Sequence, residues 1–419
     1  MKILSLFLPL AAFVAATAAS QPEAANWPSW RGANGSGTAT SGTYPVHLDK
    51  TNQLWQVELG GKGCSTPIVW EGRIIITGPV AGDDAVLAFD WNGKELWHTK
   101  IGRERAGKHR NGSGSNPSPV TDGSGVYVYY KSGNLAALDL DGRLRWKTNL
   151  QERYGKDTLY WDLGTSPVLT KRDVIAAVMH KGESYLAAFN KATGELSWKV
   201  SRNYQTPVEN DHSYATPLVI LHEGKEALVV WGGEHLTAHD AANGKIIWSA
   251  GDFNPTGKRN WVVVGSPVIA QGIVVVPYGR GSRLHGVQLG GGGDVTKSHR
   301  IWNREDTGLF VPTPAVWKNN VLLVRDRGEV EYIDPKTGKT IWIEAFPEHR
   351  AKYYSSPTIA GGKVYASRED GMFFVAQLEG GFKLLSEINL GERVIAAPVP
   401  VNGKILLRGE KHLMCFSQE

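Results

Sequence analysis

Four adjacent residues, Glu209, Asn210, Asp211 and His212, bring together side chains used for metal binding and for acid–base chemistry. Carboxylate and imidazole groups bind cations and move protons in many enzymes. Four consecutive side chains cannot all converge on one ion, so the cluster either contributes part of a site or orders its own loop. The sequence has no H-E-x-x-H, C-x-x-C or G-x-S-x-G, so it carries no common metallohydrolase, thiol redox or serine hydrolase signature.

A second set of charged residues falls at nearly equivalent positions, each at the end of a β-branched run. The six members are Lys131, His180, Arg280, Arg325, Arg368 and Arg408. Arranged around a ring, they predict a collar of positive charge at the mouth of a channel, where low-dielectric walls would focus the field on an anion. The alternative is that they are ordinary turn residues, paired with neighbouring carboxylates such as Asp326, Glu369 and Glu410.

These residues belong to a repeat that occurs eight times. A proline preceded by a small or turn-forming residue opens a short β-branched run at Pro67, Pro119, Pro167, Pro217, Pro267, Pro314, Pro357 and Pro398. Successive prolines are 41 to 52 residues apart, which is the length of one four-stranded propeller blade. The pattern therefore predicts an all-β fold, an eight-bladed β-propeller of four-stranded antiparallel blades.

Within each blade we label the strands A to D, with the proline before strand A. A tryptophan on strand D is expected to pack between adjacent blades, at Trp97, Trp146, Trp198, Trp248, Trp302 and Trp342. The run from Leu54 to Leu59 looks like a strand D but precedes the first blade, whereas the last blade stops after a strand C that includes Phe416. We therefore expect the N-terminal strand to complete blade eight and close the ring.

This scheme separates the two cysteines of the chain. Cys415 falls late on a strand C, whereas Cys64 falls in a loop that enters a strand A near the opposite rim. A disulfide requires Cα atoms within ~7 Å of each other, so we predict two free thiols.

Most of the irregular length of the chain falls in the loops from strand D to the next strand A. In a propeller these loops share one face with the B-to-C turns, and long loops on a rigid scaffold often carry binding residues. The candidate residues for a ligand or partner on this face are Arg110, Trp161, Asp162, Asp211, His212, Trp261, Arg280, Arg325, Tyr354, Arg368 and Arg408. They predict a face that binds a protein or an anionic ligand; the alternative is a solvated rim.

The N-terminal residues have the character of an export signal. Residues 1–19 combine Lys2, an apolar run from Ile3 to Val14 and small residues that fit an A-x-A cleavage site, as in a secretory signal peptide. Residues 20–52 are then an N-terminal extension, and residues 53–419 are the propeller. No later segment is apolar enough to span a membrane, so we expect a periplasmic or secreted monomer. The net charge of +5 is too mild to indicate nucleic acid.

Three repeats, from Ala88 to Trp97, from Ala187 to Trp198 and from Tyr332 to Trp342, resemble the A-x-D-x-x-T-G-x-x-x-W pattern of pyrroloquinoline-quinone (PQQ) propellers. The segment Trp27-Pro28-Ser29-Trp30-Arg31-Gly32 is similar to the opening of secreted bacterial BamB-like propellers. The resemblance implies membership of the quinoprotein dehydrogenase-like superfamily. That superfamily contains both dehydrogenases and non-catalytic scaffolds, so the fold alone does not select a function.

Within this family, the dehydrogenases carry an adjacent Cys-Cys pair over the quinone, a tryptophan beneath it, and Glu, Asn and Asp around a calcium ion. Cys64 and Cys415 are not adjacent. We therefore expect a non-enzymatic binding or assembly scaffold of the cell envelope, with no cofactor. The alternative is a PQQ-dependent dehydrogenase that oxidises an alcohol or sugar and binds PQQ with calcium. In it, Trp161 or Trp261 would stack on the quinone and Arg325 would bind its carboxylates.

Overall fold

The computed structural model describes residues 26–39 and 41–418. The predicted signal peptide, residues 1–19, lies outside the described residues. The chain forms eight antiparallel sheets, each of four consecutive strands apart from two exceptions given below. The predicted eight-bladed β-propeller is confirmed, and the blade openings fall at the predicted prolines.

The first four blades are built from strands A to D in chain order. Their strands are, for blade 1, Ile68–Trp70, Arg73–Val80, Asp83–Phe89 and Glu95–Arg103; for blade 2, Val120–Thr121, Val126–Tyr129, Asn134–Leu138 and Leu144–Asn149; for blade 3, Val168–Leu169, Asp173–Val178, Tyr185–Asn190 and Leu196–Ser201; and for blade 4, Leu218–His222, Lys225–Gly232, His235–Asp240 and Ile246–Ala250.

The last four blades follow the same order, except that strand D of blade 8 comes from the N-terminus. Their strands are, for blade 5, Val268–Ala270, Ile273–Tyr278, Arg283–Gln288 and Arg300–Arg304; for blade 6, Ala315–Trp317, Asn320–Val324, Glu329–Ile333 and Thr340–Ala345; for blade 7, Thr358–Ala360, Lys363–Ser367, Met372–Gln377 and Lys383–Asn389; and for blade 8, Val399–Val401, Lys404–Arg408, His412–Ser417 and Gln53–Glu58.

Three short elements interrupt this pattern. An α-helix, Leu150–Tyr154, follows blade 2, and a 3-10 helix, Gly279–Gly281, forms the B-to-C turn of blade 5. A two-residue strand, Gly293–Asp294, pairs in parallel with strand D of blade 4 and covers its outer edge. None of the helices in the described chain has the length and apolar character needed to cross a bilayer.

The N-terminal strand closes the ring, as predicted. Gln53–Glu58 pairs antiparallel with His412–Ser417, so the N-terminal strand is the outermost strand of blade 8 and joins the two ends of the propeller. Trp55 on this strand donates its Nε1–H to the Trp91 carbonyl of blade 1 at 2.8 Å. This contact ties the closing strand to the neighbouring blade.

The same tryptophan contact recurs between successive blades. Trp97, Trp146, Trp198 and Trp302 each donate an indole N–H to a carbonyl in the C-to-D turn of the next blade, at 2.8–3.2 Å. The turn glycine lies under the ring: a Cβ on Gly142, which has a φ of +84°, would lie 2.5 Å from Trp97. Each indole therefore requires glycine in the turn that it covers.

The residues before the blade-opening prolines form a second inter-blade contact. Each hydroxyl accepts a hydrogen bond from a backbone N–H of a neighbouring blade, at 2.9–3.0 Å. We call this circle the hydroxyl ring; its members are Thr66, Ser118, Ser166, Thr216, Ser266, Thr313 and Ser356. Ala397 interrupts it, because alanine has no hydroxyl. Each such bond contributes about 1 kcal/mol to the free energy of unfolding.

The N-terminal extension crosses the channel on the face opposite the D-to-A loops. Trp27 exchanges backbone hydrogen bonds with Val69 of blade 1, and the Gly37 carbonyl accepts from Ile359 of blade 7. Between these anchors, Trp30 lines both the central cavity and a groove on the opposite face. The segment therefore closes one end of the channel.

Arg31 fixes this crossing from a buried position. Its Nη1 and Nη2 atoms donate to the carbonyls of Pro357 and Pro314, each at 2.8 Å. A Cβ on Gly37 would lie 1.9 Å from Nη2, so only glycine fits there. Desolvation by burial lowers the pKa of the Arg31 guanidinium to about 9.

We predict that the closing strand depends on Trp55. Trp55→Ala should lower the free energy of unfolding by about 3 kcal/mol, because it removes ring packing and the hydrogen bond to Trp91. The matched control is Leu54→Ala on the same strand, whose exposed side chain should cost less than about 0.5 kcal/mol. Chemical denaturation of both variants measures the difference. Equal losses would contradict the closure described here.

Candidate functional site

The central cavity lies on the propeller axis and opens on the face that carries the D-to-A loops, which we call the loop face. It has a volume of about 380 Å³, within the usual range for small-ligand sites. The hydroxyl ring and Trp30 line its inner end. The cavity is therefore a pocket with one open mouth rather than a through-channel.

Aromatic rings form much of its wall. Trp161 makes edge contacts with His109 and Tyr160, with ring centroids 4.8 and 4.7 Å apart. Its backbone N–H donates to the Tyr214 hydroxyl at 2.9 Å. Tyr354 also lines the cavity, and burial raises the pKa of its phenol. These contacts hold the rings in place before any ligand enters.

Asp162 organises the loop between blades 1 and 2. Its carboxylate accepts hydrogen bonds from the backbone N–H groups of Lys108 and His109 and from the buried Lys131 ammonium. Burial alone would raise the pKa of Asp162, but these hydrogen bonds hold it below its usual value. Asp162 thus has a structural role, and the Lys131 ammonium balances its negative charge.

Arg280 stands at the cavity wall in a strained backbone conformation. Its φ is +53°, which is unusual for a residue other than glycine and is a form of strain that clusters at functional sites. Its guanidinium carbon lies 4.5 Å from the centroid of the Phe310 ring, and Nη1 donates to the Asn260 carbonyl at 3.0 Å. The side chain is exposed and makes no ion pair within the described residues.

Glu369 connects the loop after blade 1 to blades 7 and 8. It accepts hydrogen bonds from Asn111 at 2.7 Å, from Arg393 at 3.2 Å and from Arg110 at 3.3 Å. The Glu369 side chain is 5% exposed, whereas that of Arg110 is 67% exposed. The carboxylate is thus buried, and the guanidinium of Arg110 faces solvent.

The predicted collar of positive charge is wrong. Of its six members, only Arg280 lines the cavity. Lys131 is buried against Asp162, and His180 contacts the Thr158 hydroxyl. Arg368 pairs with Asp370 at 2.9 Å. Local polar partners thus bind Lys131, His180 and Arg368, so these charges do not converge on the channel.

Arg408 shows the physical reason most clearly. Its side chain is 1% exposed and donates from Nη1 to the Ser65 and Thr77 carbonyls of blade 1. Desolvation lowers the pKa of this guanidinium to about 10. Arg408 therefore joins blade 8 to blade 1 and was wrongly expected on the surface. Arg325 is half-buried and lies outside the cavity lining.

The acidic cluster at 209–212 does not form a metal site. His212 is buried, and its Nε2 lies 3.8 Å from an Asp211 carboxylate oxygen. The Asn210 amide donates to Glu234 and to the Lys258 carbonyl. These bonds order the loop, which was the alternative interpretation. Trp261 packs edge-on against Tyr278 at 5.4 Å, outside the cavity lining.

Several residues of the site were not proposed as such from the sequence. Glu369 was considered only as a partner for a neighbouring arginine, and the hydroxyl ring was interpreted only as a mark of blade openings. Cys64 lines the cavity, whereas Cys415 lies in the sheet of blade 8. Both thiols are free, as predicted. The recurrent Ser/Thr-Pro pair was the signal that could have identified the ring.

The cavity does not supply the ligand set of a PQQ–calcium site. Asp162 is its only carboxylate within the described chain, and that group already accepts bonds from Lys131 and two backbone amides. Arg280 is the only arginine or lysine among the lining residues. Across residues 26–39 and 41–418, no group of three or more His, Cys, Asp or Glu side chains is arranged to hold a metal ion.

The sheets and their closing strand define the chain as an eight-bladed β-propeller. The family model described as "Outer membrane protein assembly factor BamB" matches residues 38–212, 82–344 and 282–381. These overlapping matches span most of the chain, which therefore belongs to the BamB family.

Individual relatives are distant. BamB of Yersinia pestis is 22% identical over 351 residues, covering 81% of this chain and 80% of that protein. The crystal structure of BamB from Moraxella catarrhalis superposes with a TM-score of 0.61 at 14% identity, over 88% of this chain and 97% of that one. A europium-containing methanol dehydrogenase has a TM-score of 0.69 at 11% identity, over 95% and 99%. The two structures share the fold with this chain.

We predict opposite roles for two arginines of the supposed collar. Arg408→Ala should lower the free energy of unfolding by about 2 kcal/mol or more, because the Ser65 and Thr77 carbonyls lose a buried donor. Arg325→Ala, at a half-buried position, should cost less than about 0.5 kcal/mol. Denaturation midpoints of the two variants test this. If Arg408→Ala unfolds like the wild type, the inter-blade role is wrong.

The two thiols should differ in accessibility. In the folded protein, a small alkylating reagent should label Cys64 faster than Cys415, because only Cys64 lines the cavity. Burial raises the pKa of both thiols, to about 12 for Cys415, so both reactions should be slow. Mass spectrometry of unfolded, unreduced protein should then find both residues labelled. Faster native labelling of Cys415 would contradict this placement.

Proposed function

We propose that this chain is a non-enzymatic binding scaffold of the cell envelope that holds a protein partner at the loop face. The observation that carries the proposal is the orientation of the ion pairs on that face. In Arg110–Glu369, Arg105–Asp157 and Arg393–Glu369 the carboxylate is the more buried partner and the guanidinium the more exposed. Around the loop after blade 1, this face thus directs positive charge outwards on a rigid frame, whereas after blade 5 the pairs Arg283–Glu305 and Arg304–Asp306 expose the carboxylate more than the guanidinium.

Such a face suits an acidic protein surface. Exposed guanidinium groups attract acidic partners over distance, and charge complementarity favours specific association. Aromatic residues and arginine are also enriched at the centres of protein interfaces. Tyr160 is 57% exposed beside Trp161, at the rim of the cavity. In the second form of this proposal, the same face binds a small anionic ligand.

Family membership supports a role in the envelope. The Yersinia relative is named as an outer membrane protein assembly factor, and we propose the same kind of assembly role for this chain. Export through a signal peptide at residues 1–19 and a monomeric state remain predictions. An exported propeller with a cationic loop face would meet its partner on the periplasmic side of the membrane.

The alternative of a PQQ-dependent dehydrogenase rests on the shared fold with a methanol dehydrogenase. The carboxylate that lines the cavity is already occupied, and Trp261 and Arg325 lie outside its lining. We therefore propose that the chain uses no quinone. Addition of PQQ with calcium to the purified protein, followed by desalting, separates the two functions. A quinone absorbance that survives desalting would favour the dehydrogenase.

We predict that outer-membrane protein assembly depends on the loop face. In cells that lack this chain, complementation with Arg110→Ala/Tyr160→Ala should restore far less outer-membrane protein than the wild type. The reason is that these exposed side chains supply charge and aromatic area at the proposed interface. Folding should be unaffected, since surface substitutions rarely cost more than about 0.5 kcal/mol each.

The matched control lies on the opposite face. Arg143 is 81% exposed in a C-to-D turn, and Leu221 is a highly exposed apolar residue on strand A of blade 4. Arg143→Ala/Leu221→Ala removes an exposed guanidinium and an exposed apolar side chain and should restore outer-membrane protein fully. If the two double variants perform alike, at equal expression and equal melting temperature, the loop face is not the partner site.

A further inference from the structure

The hydroxyl ring has chemical capacity that the fold does not use. A hydroxyl group offers one donor and two acceptor lone pairs. Each ring member already accepts one backbone N–H, as described above. Within the described chain, none of the seven hydroxyl hydrogens has a protein acceptor, and all seven residues line the central cavity. Seven O–H donors therefore surround the inner end of the cavity.

The charge around this end of the cavity is positive. Arg31 is buried directly behind the ring, since it binds the carbonyls of Pro314 and Pro357, which follow the ring residues Thr313 and Ser356. It has no carboxylate partner among the described residues, and its Nε is buried without a hydrogen bond. In a low-dielectric interior an unpaired guanidinium acts strongly on nearby charge.

The carboxylate that lines the cavity does not offset this charge. Asp162 is neutralised by Lys131 and accepts two backbone amides, so it offers little negative potential to a ligand. On the wall, Arg280 adds a second guanidinium without an ion pair. A cation would meet positive charge at two places, whereas an anion would meet donors and positive charge together.

We propose that the hydroxyl ring is a binding site for a carboxylate group on the propeller axis. An ionised carboxylate only accepts hydrogen bonds, and its two oxygens can take about four of them, which matches a circle of O–H donors. Hydrogen bonds from hydroxyl groups to carboxylates are charge-assisted and roughly twice as strong as neutral ones. The aromatic walls formed by Trp161, Tyr214 and Tyr354 would contact the organic body that carries the carboxylate.

This inference goes beyond the scaffold function. The ring lies at the inner end of the cavity, whereas Arg110 and Tyr160 lie on the exposed loop face. The carboxylate has two possible sources: a free organic acid, or the C-terminus or acidic side chain of a peptide that reaches down the axis. A cavity of about 380 Å³ accommodates either but not a folded domain.

The test is a calorimetric titration of the full-length protein with two probes. The first is acetate, and the second is a short peptide prepared with either a free or an amidated C-terminus. Ser356→Ala removes one ring donor and should weaken acetate binding about tenfold, the usual effect of losing a hydrogen bond to a charged group. The adjacent Ser355→Ala is the matched control, because the Ser355 hydroxyl donates to the Ala396 carbonyl. It should leave acetate affinity within about twofold.

A gain-of-function variant distinguishes the loss of a hydrogen-bond donor from misfolding of Ser356→Ala. Ala397→Ser places an eighth hydroxyl in the gap of the ring, beside Thr66, and should bind acetate more tightly than the wild type. Binding of the free-acid peptide but not the amide would identify a peptide carboxylate as the source. Binding of acetate alone would identify a free organic acid.

Three results would overturn the proposal. They are the absence of binding by both acetate and the free-acid peptide, equal affinity of Ser356→Ala and Ser355→Ala for acetate, and measurable, equal binding of the acid and amide forms of a peptide that has no acidic side chain. The scaffold function is tested separately by Arg110 and Tyr160. If Ser356→Ala loses carboxylate binding but supports normal outer-membrane protein assembly, the carboxylate site is separate from the scaffold function.

Discussion

The hydrogen bond from each blade-opening amide to a hydroxyl of a neighbouring blade is the interaction on which the geometry of the centre depends. It sets the inner radius of the propeller, because seven such bonds, each 2.9–3.0 Å long, join the blades in series from Ala397 through Thr66 to Ser356, with one gap at Ala397. The proline after each hydroxyl biases that residue towards extended backbone and so prepares the entry to strand A. At the outer radius, the indole hydrogen bonds of the strand D tryptophans also join neighbouring blades. These two sets of hydrogen bonds join neighbouring blades beneath the loops.

At four positions on the loop face, the carboxylates are buried and the guanidinium groups are exposed. Glu369 and Asp162 are carboxylates that accept several hydrogen bonds within the loops, whereas Arg110 and Arg280 extend into solvent. The acids thus act as structural centres, and the bases remain available for contact. The same arrangement leaves the cavity with hydroxyl donors at one end, aromatic walls and no free carboxylate. A scaffold that presents fixed cationic groups binds without first reorganising its loops.

The periodic features of the fold were predictable, and the directions of single side chains were not. Pro67 to Pro398 and the strand D tryptophans recur at blade length, so the blade count and the closing strand followed from the sequence. The positions of Arg408 and Lys131 did not, because the end of a strand B faces solvent or a neighbouring blade according to contacts more than 30 residues away in the chain. Trp161, Asp162, Arg280 and Tyr354 line the cavity, and their part in binding a ligand or partner stays a prediction. The place of Ser356 in the hydroxyl ring could not be predicted from its own blade, because its partner Thr313 belongs to the neighbouring blade, 43 residues away.

We propose that this propeller holds a protein at its loop face. The most direct measurement is site-specific photo-crosslinking in intact cells, with a photoreactive amino acid at Tyr160 or, as the opposite-face control, at Leu221. We expect discrete adducts with an envelope protein from position 160, which disappear when Arg110 is also replaced by alanine, and none from position 221. Adducts from position 221 alone, or equal adducts from both positions, would contradict it.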